Sequence, residues 1–388
     1  MTAASSHGWT RRRALALATM AAGAAVVPPL ATPAPGARPA TGVPDGHFEG
    51  PLTRIAFGSC AKQHKDQPIW SAIMATRPEL FIFLGDNVYG DTRDMDVLAA
   101  QYRALGAKQS HQRLRSTTRV LATWDDHDFG ENDAGGDYPL KEESRRIFCD
   151  FWNEPATSPR RSRDGIHASY VFGKAPRRVQ VILPDLRFNR TPIRRDSVFA
   201  PDDATYAQRI AELAREGRET PGYYLRNPDL RATMLGERQW QWLEAQLRVP
   251  AEVRILASSL QVVADFPGWE AWINYADDHQ RLLETIRRTR AHGLVCISGD
   301  THYAEVSRLE RNAPYPLWDI TSSGLTEVWP VLPPNALRVG EAFREPNFGM
   351  LHIDWSGRHP LVVAEIRDIA GRATHVQRID TRDLQTGG

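Results

Sequence analysis

Four apolar segments of the sequence each run into side chains that are typical metal ligands. RIAFGSC ends at a cysteine, and LFIFLGDNVY carries an aspartate followed three positions later by a tyrosine. The third segment runs into WDDHD and the fourth into GDTH. An aspartate after a strand is often a turn or helix-capping residue, but four such clusters favour a metal site, because burying bare carboxylates is costly. The predicted metal ligands are Cys60, Asp86, Tyr89, Asp126, Asp300 and His302.

The segments that carry these residues alternate with amphipathic ones, which predicts an α/β fold. Strand patterns cover residues 54–60, 78–86, 119–128, 170–172, 179–183, 252–263 and 293–302, with an antiparallel tail over 348–379. Helical patterns cover residues 66–76, 94–107, 141–153, 237–248 and 278–290, and a polar insert over 191–235 is expected to cap or flank the core. Because strands end together at one edge of such a sheet, the four clusters are expected to meet.

Length and charge limit the function classes. The chain has 388 residues, 41% of them hydrophobic, which is enough for one large domain or two smaller ones. Lys and Arg total 48 and Asp and Glu total 47, for a net charge of +1. That balance gives no electrostatic reason to expect a nucleic-acid partner. Three cysteines, an odd count, leave at least one unpaired; Cys149 and Cys296 lie in apolar contexts that favour burial, with a disulfide between them left open.

The N-terminus has the pattern of an export signal. Arginines at 11–13 precede a weakly apolar run at 14–27 and then Pro- and Ala-rich sequence. Consecutive arginines before such a run indicate the twin-arginine route, so residues 1–37 are interpreted as signal and linker and the export machinery as a partner. The alternative, a membrane anchor, is disfavoured because the run is shorter than the roughly 20 residues that a span needs. The mature protein is therefore expected in the periplasm or secreted, with no later transmembrane span.

The order of the motifs resembles the calcineurin-like metallophosphoesterases. That family's second motif survives as GDNVY at 85–89, its third as WDDHD at 124–128, and its last as GDTH at 299–302, while SC at 59–60 replaces the first. These departures are similar to one branch, the alkaline phosphatase D (PhoD-like) family, which DLR at 185–187 also fits. The resemblance covers the chain from about Arg54 to the C-terminus.

This resemblance implies a fold and an activity. The fold would be a two-sheet β-sandwich flanked by helices in four layers, with the motifs at the C-terminal ends of strands, as a single catalytic domain over 48–388. The activity would be hydrolysis of phosphate monoesters or diesters by attack of a metal-bridging hydroxide. A phospholipase D-like phosphodiesterase of the same fold is an alternative that the resemblance leaves open.

The ligand types indicate which metals these would be. Thiolate and phenolate are donors that suit ferric iron, so Cys60 and Tyr89 would form an Fe(III) site that Asp86 bridges to a second metal. The second position, with Asp126, Asp300 and other oxygens, suits one or two calcium ions, or manganese or magnesium. The resemblance implies iron with calcium. His302 would bind either metal.

Other residues are assigned to the substrate. His127 is predicted to act on the leaving oxygen as an acid or hydrogen-bond donor, with Asp128 or Asp125 orienting its ring. Arg187 is predicted to hold the phosphate, with a structural ion pair as the alternative. The weaker candidates, for the phosphate or for the metal shell, are Asn87, Asp125, Asn132, Lys141 and Gln261.

Two features bear on the substrate and on the function class. Five aromatic residues in loop-like regions would either line an apolar cleft, favouring a diester or lipid, or pack in the core; they are Trp269, Trp272, Tyr275, Trp318 and Trp329. A non-catalytic, calcium-stabilised exported binding protein is the alternative from a different class. Cys60 and His127 argue against it, because calcium binding needs neither thiolate nor imidazole.

Overall fold

The structure is a computed structural model that describes residues 47–48, 50–265 and 267–387. The predicted export signal and linker at 1–37 lie outside the described residues. The described residues belong to one compact unit. Within them, no helix combines the length and the apolar character that a bilayer span requires.

Two large mixed sheets and flanking helices form the fold, as the sequence predicts. The strands are β1 (His47–Phe48), β2 (Arg54–Gly58), β3 (Leu80–Leu84), β4 (Arg119–Thr123), β5 (Ala168–Phe172), β6 (Val179–Leu183), β7 (Arg194–Arg195), β8 (Tyr224–Leu225), β9 (Val253–Ala257), β10 (Leu294–Ser298), β11 (Ala304–Leu309), β12 (Leu317–Ser322), β13 (Asn347–Asp354), β14 (Leu361–Asp368) and β15 (Ala373–Asp380). The helices are α1 (Ile69–Ala75), α2 (Met95–Ala107), α3 (Gln109–Thr117), α4 (Asp126–Phe129), α5 (Lys141–Phe151), α6 (Asp203–Arg215), α7 (Glu237–Leu247) and α8 (Ala276–Thr289).

Each large sheet contains a run of parallel strands whose ends carry the site. The six-stranded sheet has the order β15-β14-β13-β2-β3-β4, in which β2, β3 and β4 are parallel neighbours. The seven-stranded sheet has the order β1-β5-β6-β9-β10-β12-β11, in which β6, β9, β10 and β12 are parallel neighbours. The loops that follow these strands leave the sheets at their carboxyl ends, where α/β folds place ligands.

Alternate residues of the strands build separate parts of the core. In β3, Ile82 joins the cluster that contains the seven-stranded sheet, whereas Phe81 faces the other way and packs edge-on against Trp70 of α1 at 5.3 Å. Trp240 of α7 and Ile286 of α8 cover the outer face of the seven-stranded sheet. The result is a helix–sheet–sheet–helix arrangement, and strands buried on both faces explain the continuous apolar runs in the sequence.

The sequence patterns did not predict α3, β11 or β12. The sequence of α3, QSHQRLRST, has no apolar periodicity, and only His111 and Leu114 of this helix are buried. In β12, Asp319 interrupts the apolar run yet is buried, because it accepts hydrogen bonds from Ser298 Oγ at 2.8 Å and from the backbone of Val262 at 2.7 Å. The polar insert at 191–235 forms α6 and the small sheet of β7 and β8. Cys149 and Cys296 are buried and not disulfide-bonded.

Candidate metal centre

Four of the predicted ligands have left-handed backbone conformations. The φ angles are 62° for Cys60, 49° for Asp86, 72° for Asp300 and 59° for His302. This region is uncommon for residues other than glycine, and each such residue costs on the order of 1 kcal/mol or more. The sharp turns carry each side chain from the end of its strand back toward the same point between the sheets.

Close backbone contacts hold these turns together. Gly85 has a φ of 104°, and a Cβ placed on it would lie 2.5 Å from the Cβ of Asp125. A Cβ on Gly299 would lie 2.6 Å from Ser59 Oγ. Gly85 therefore lets the loops after β3 and β4 approach each other within one sheet, and Gly299 lets the loop after β10 approach the loop after β2 across the two sheets; a side chain would prevent either approach.

A first group of ligand atoms combines sulfur, phenol, imidazole and carboxylate. One ligand atom each from Cys60, Asp86 and His302 lie within 4.8 Å of one another. The hydroxyl of Tyr89 lies 3.4 Å from Asp86 Oδ2 and 3.2 Å from His302 Nε2. Burial, with the Asp86 carboxylate beside it, raises the pKa of the Cys60 thiol well above its usual value, so a thiolate here requires a neighbouring cation.

A second group consists of carboxylates and shares one of them with the first. Ligand atoms of Asp86, Asp125, Asp126 and Asp300 lie within 4.8 Å of one another. Within the described chain, Asp86 Oδ1, Asp125 Oδ2 and Asp126 Oδ1 are buried and accept no hydrogen bond. Buried anionic oxygens without donors are strongly unfavourable. Their clustering fits a bound cation, and Asp86 lies where it would bridge two.

A third acidic group, Asp126, Asp133 and Glu270, is compensated by the protein itself. Glu270 Oε2 accepts a hydrogen bond from Arg187 at 2.7 Å, and its Oε1 pairs with Arg190. Both arginines are buried. Glu270 therefore already has its cations, and the Asp133 carboxylate accepts hydrogen bonds from Asn132 and Tyr224.

Arg187 is directed toward protein carboxylates. Its Nε donates to Asp125 Oδ1 at 2.6 Å, and its other two nitrogens donate to Glu270 at 2.7 Å and 3.1 Å. Its exposed fraction is 0%, and it does not line the cleft described below. This geometry does not support the predicted contact between Arg187 and phosphate. It corresponds to the alternative, in which Arg187 forms a structural ion pair that holds the metal-ligand candidate Asp125 in place.

His127 faces the metal-ligand candidates but is oriented by a residue that the sequence did not indicate. Its Nδ1 lies 2.6 Å from Asp91 Oδ1, and its ring packs on Tyr89 with centroids 4.2 Å apart. Burial opposes protonation, but the carboxylates of Asp126 and Asp86 and the hydrogen bond to Asp91 outweigh it and raise the pKa of His127 to about 11. Asp91 is the last residue of the segment GDNVYGD, and its place in that segment is the sequence feature that could have identified it as a partner of His127.

The predicted orienting residues of His127 have other partners. Asp128 Oδ1 accepts from the backbone of Asp125 at 2.6 Å, and its Oδ2 accepts from the backbone of Asn87 at 3.2 Å. Asp128 therefore ties two ligand loops together. Asn87 donates its amide to Thr123 O at 2.8 Å, which leaves its buried Oδ1 without a partner in the described chain.

The remaining weaker candidates divide between the cleft and the structure beside it. Lys141 donates to the carbonyl oxygens of Gly136 at 2.6 Å and Phe188 at 3.1 Å, so its ammonium secures a loop. Asn132 and Gln261 both line the cleft, the latter with its amide hydrogen-bonded to a buried glutamate.

A cleft of about 190 Å³ opens over the ligand groups. Its acidic and imidazole lining comes from the site itself, including Asp126, His127, Asp300 and His302. The lining also has an apolar wall, in which the rings of Trp269 and Trp329 lie 4.9 Å apart and that of Trp329 lies 6.3 Å from the His302 ring. The sequence did not single out two further lining residues, Tyr223 and Tyr303. Three of the five aromatic candidates are instead buried in the core, namely Trp272, Tyr275 and Trp318.

Comparison with known proteins places this geometry in a family. A family model described as PhoD-like phosphatase matches residues 55–331. The solved structure of PhoD is similar in fold, with a TM-score of 0.57 and 13% identity over 87% of this chain and 73% of that one. GAP50, the anchor in the inner membrane complex of Plasmodium, gives a TM-score of 0.51 and 11% identity over 85% of this chain and 89% of that one. A dimetal phosphatase from Danio rerio gives a TM-score of 0.46 and 16% identity over 86% of this chain and 100% of that one. A sequence search of curated proteins gave no match.

Replacing Arg187 by Gln is expected to lower the free energy of unfolding by about 3 kcal/mol, because it removes the counter-charge of the buried Asp125 and leaves Glu270 paired with Arg190 alone. The measurement is urea unfolding of the purified protein at fixed metal concentration. Arg238→Gln is the control, since that side chain is 86% exposed in its pair with Asp164 and should change stability by about 0.5 kcal/mol or less. An Arg187→Gln variant of unchanged stability with weakened phosphate binding would contradict the structural assignment.

Proposed function

Because this chain belongs to the PhoD-like phosphatase family, whose members are metal-dependent phosphohydrolases, we propose that it is an exported enzyme that hydrolyses phosphate esters, diesters in particular. The observation that carries the proposal is the pair of ligand groups joined by Asp86 at the floor of a cleft. A phosphate ester bound in that cleft would have its phosphorus above the ligand groups and its organic arms against the cleft walls.

The donor sets support two different metals. Cys60, Asp86, Tyr89 and His302 form the set that suits ferric iron. The oxygen set, Asp86 with Asp125, Asp126 and Asp300, suits calcium, with manganese or magnesium as alternatives, and the unpartnered Oδ1 of Asn87 is a further donor. When bound, the metals would polarise the phosphoryl group and make a water molecule acidic enough to act as a nucleophile at neutral pH.

His127 is the residue of this chain best placed to handle the proton of the leaving group. It lines the cleft next to Asp126, and the hydrogen bond from Nδ1 to Asp91 leaves Nε2 as the nitrogen available to a ligand. An imidazolium held there would donate a proton or a hydrogen bond to the departing oxygen. Asp91 is a positioning residue, which we propose fixes the ring in the manner of other carboxylate–histidine pairs.

The apolar wall supports a diester over a small monoester. Trp269 and Trp329 line the same cleft as the acidic residues, together with Pro267, Val331 and Pro333. A simple monoester has one organic arm, whereas a diester has two and would bury the second against the indole rings. Such burial contributes about 1.5–3 kcal/mol for one large apolar group. This arrangement also suits a phospholipase D-like phosphodiesterase, whose substrate carries an apolar arm.

Export remains part of the proposal on sequence grounds. The arginines at 11–13 and the apolar run at 14–27 support a twin-arginine signal followed by the catalytic domain at 48–388, with the protein in the periplasm or secreted. That route exports folded proteins, which agrees with a buried iron site that would be loaded before export.

A calcium-stabilised binding protein is the alternative. GAP50, which has the same fold, is an anchor, so the fold by itself does not establish catalysis. The placement of Cys60 within the ligand group and of His127 on the cleft favours the enzyme, because structural calcium needs neither side chain.

Replacing Asp86 by Ala is expected to lower kcat/KM for a chromogenic phosphodiester by on the order of a thousandfold or more, because both ligand groups lose their shared carboxylate. Circular dichroism should show an unchanged fold. Asp277→Ala, at an exposed position in the first turn of α8, is the control and should retain activity. Full activity of the Asp86 variant would exclude the shared-ligand site.

Elemental analysis of the purified mature protein is expected to find iron together with calcium, and its visible spectrum a tyrosinate–Fe(III) charge-transfer band. The band should disappear in Tyr89→Phe, since the phenolate oxygen is its source. A strong chelator should slowly inactivate the enzyme, with calcium restoring activity to protein that has kept its iron. A colourless protein reactivated by zinc alone would point to a different metal pair.

Replacing Trp329 by Ala is expected to reduce kcat/KM about tenfold for an aryl p-nitrophenyl phosphate diester and much less for the methyl p-nitrophenyl diester. The two substrates share a leaving group and differ only in the arm that would contact the wall. Trp242→Ala is the matched control, because that half-buried indole packs on His167 away from the cleft. Equal losses for both substrates would indicate that Trp329 supports His302 and does not bind substrate.

A further inference from the structure

The basic side chains nearest to the ligand groups are committed to the protein. Arg187 and Arg190 pair with Glu270, and Lys141 donates to two backbone carbonyls. A bound phosphoryl group would therefore need a cation from elsewhere to contact its non-bridging oxygens outside the metal ions.

Lys62 is the cation that is free to do this. It lies two residues after Cys60, and its backbone N–H donates to Thr326 Oγ1 at 2.7 Å, which fixes the start of the side chain. Its Nζ lies 5.1 Å from the centroid of the Tyr89 ring. Throughout the described residues its ammonium has neither a carboxylate partner nor a hydrogen bond, whereas neighbouring Lys65 pairs with Glu327 at 2.8 Å.

Lys62 lies beside the first ligand group. The Tyr89 ring under its ammonium carries the hydroxyl that is 3.2 Å from His302 Nε2 and 3.4 Å from Asp86 Oδ2. Lys62 therefore approaches the group formed by Cys60, Asp86, Tyr89 and His302 from the side of the Tyr89 ring. A flexible stem with a compact charge can reach from that position to a bound anion.

We propose that Lys62 contacts a non-bridging oxygen of the substrate phosphoryl group, on the side of the site formed by Tyr89 and His302. The inference rests on the proposed function, since it gives that same site its substrate-binding cation. A phosphate oxygen would supply the anionic partner that the ammonium lacks, in a charge-assisted hydrogen bond. The arginines below would then hold the ligands, while Lys62 holds the substrate.

The test is calorimetric titration of inorganic phosphate into the metal-loaded protein, alongside kcat/KM for a phosphodiester and metal content. Lys62→Met is expected to weaken phosphate binding and to lower kcat/KM, each by about tenfold or more, with metal content unchanged. Lys62→Arg should recover much of the phosphate affinity, because it keeps the charge. Lys65→Met is the matched control, and should bind phosphate as the unaltered protein does.

Three results would overturn the proposal: unchanged phosphate affinity in Lys62→Met, an equal loss in Lys65→Met, or a loss of metal. Metal loss would mean that the ammonium serves Tyr89 and the metal ligands. Failure of the proposed function would give a different result. If the protein hydrolyses no phosphate ester but binds phosphate through Lys62, the proposed enzymatic function is excluded and the Lys62 contact stands. If the protein is active and Lys62→Met binds and hydrolyses as the unaltered protein does, the Lys62 contact is excluded and the enzymatic function stands.

Discussion

Repulsion among buried carboxylates is the constraint on which the rest of this structure depends. Asp86, Asp125, Asp126 and Asp300 converge at the ends of parallel strands from two sheets; the first three are buried and Asp300 is half-buried, so water screens their charges poorly. Burial is the largest cause that raises the pKa of Asp86 and Asp300 well above the usual range, and their acidic neighbours add to it. Such a cluster keeps its negative charge in the folded protein where positive charge lies nearby.

The protein provides that charge from two sides. On one side, Arg187 and Arg190 are themselves buried, and they pair with Glu270 and Asp125. On the other side, Asp86, Asp125 and Asp126 each have a buried oxygen that accepts no hydrogen bond, and metal cations would compensate these oxygens. The arginines thus set the positions of the acids that the metals would then bind, and the two compensations depend on each other.

The candidate ligands could be selected from the sequence because each lies within a few residues of the end of an apolar strand, and several of them lie together in the structure. Their partners could not be selected in this way. Arg187 meets Asp125 across 62 positions and Glu270 across 83, and no local pattern indicates such pairs. Likewise, the choice of Asp91 over Asp128 for His127 follows from the turn at Asp91, which has a φ of 45°. Strands with wholly apolar sequences were predicted. The strand β12 was not predicted, because the hydrogen-bond donors that allow Asp319 to be buried are Ser298 and Val262, which are distant in sequence.

The strained backbone of the ligands follows from the same constraint. To bring acids from two sheets to one point, the chain must reverse within one or two residues of each strand end, and Cys60, Asp86, Asp300 and His302 adopt left-handed conformations to do so. The energy that this strain costs must be offset by the contacts around it, including the close approach of Gly85 to Asp125. A substitution that relaxes one of these turns would move its ligand away from the shared centre, so the geometry of the site and the tight packing of the two sheets cannot be changed independently.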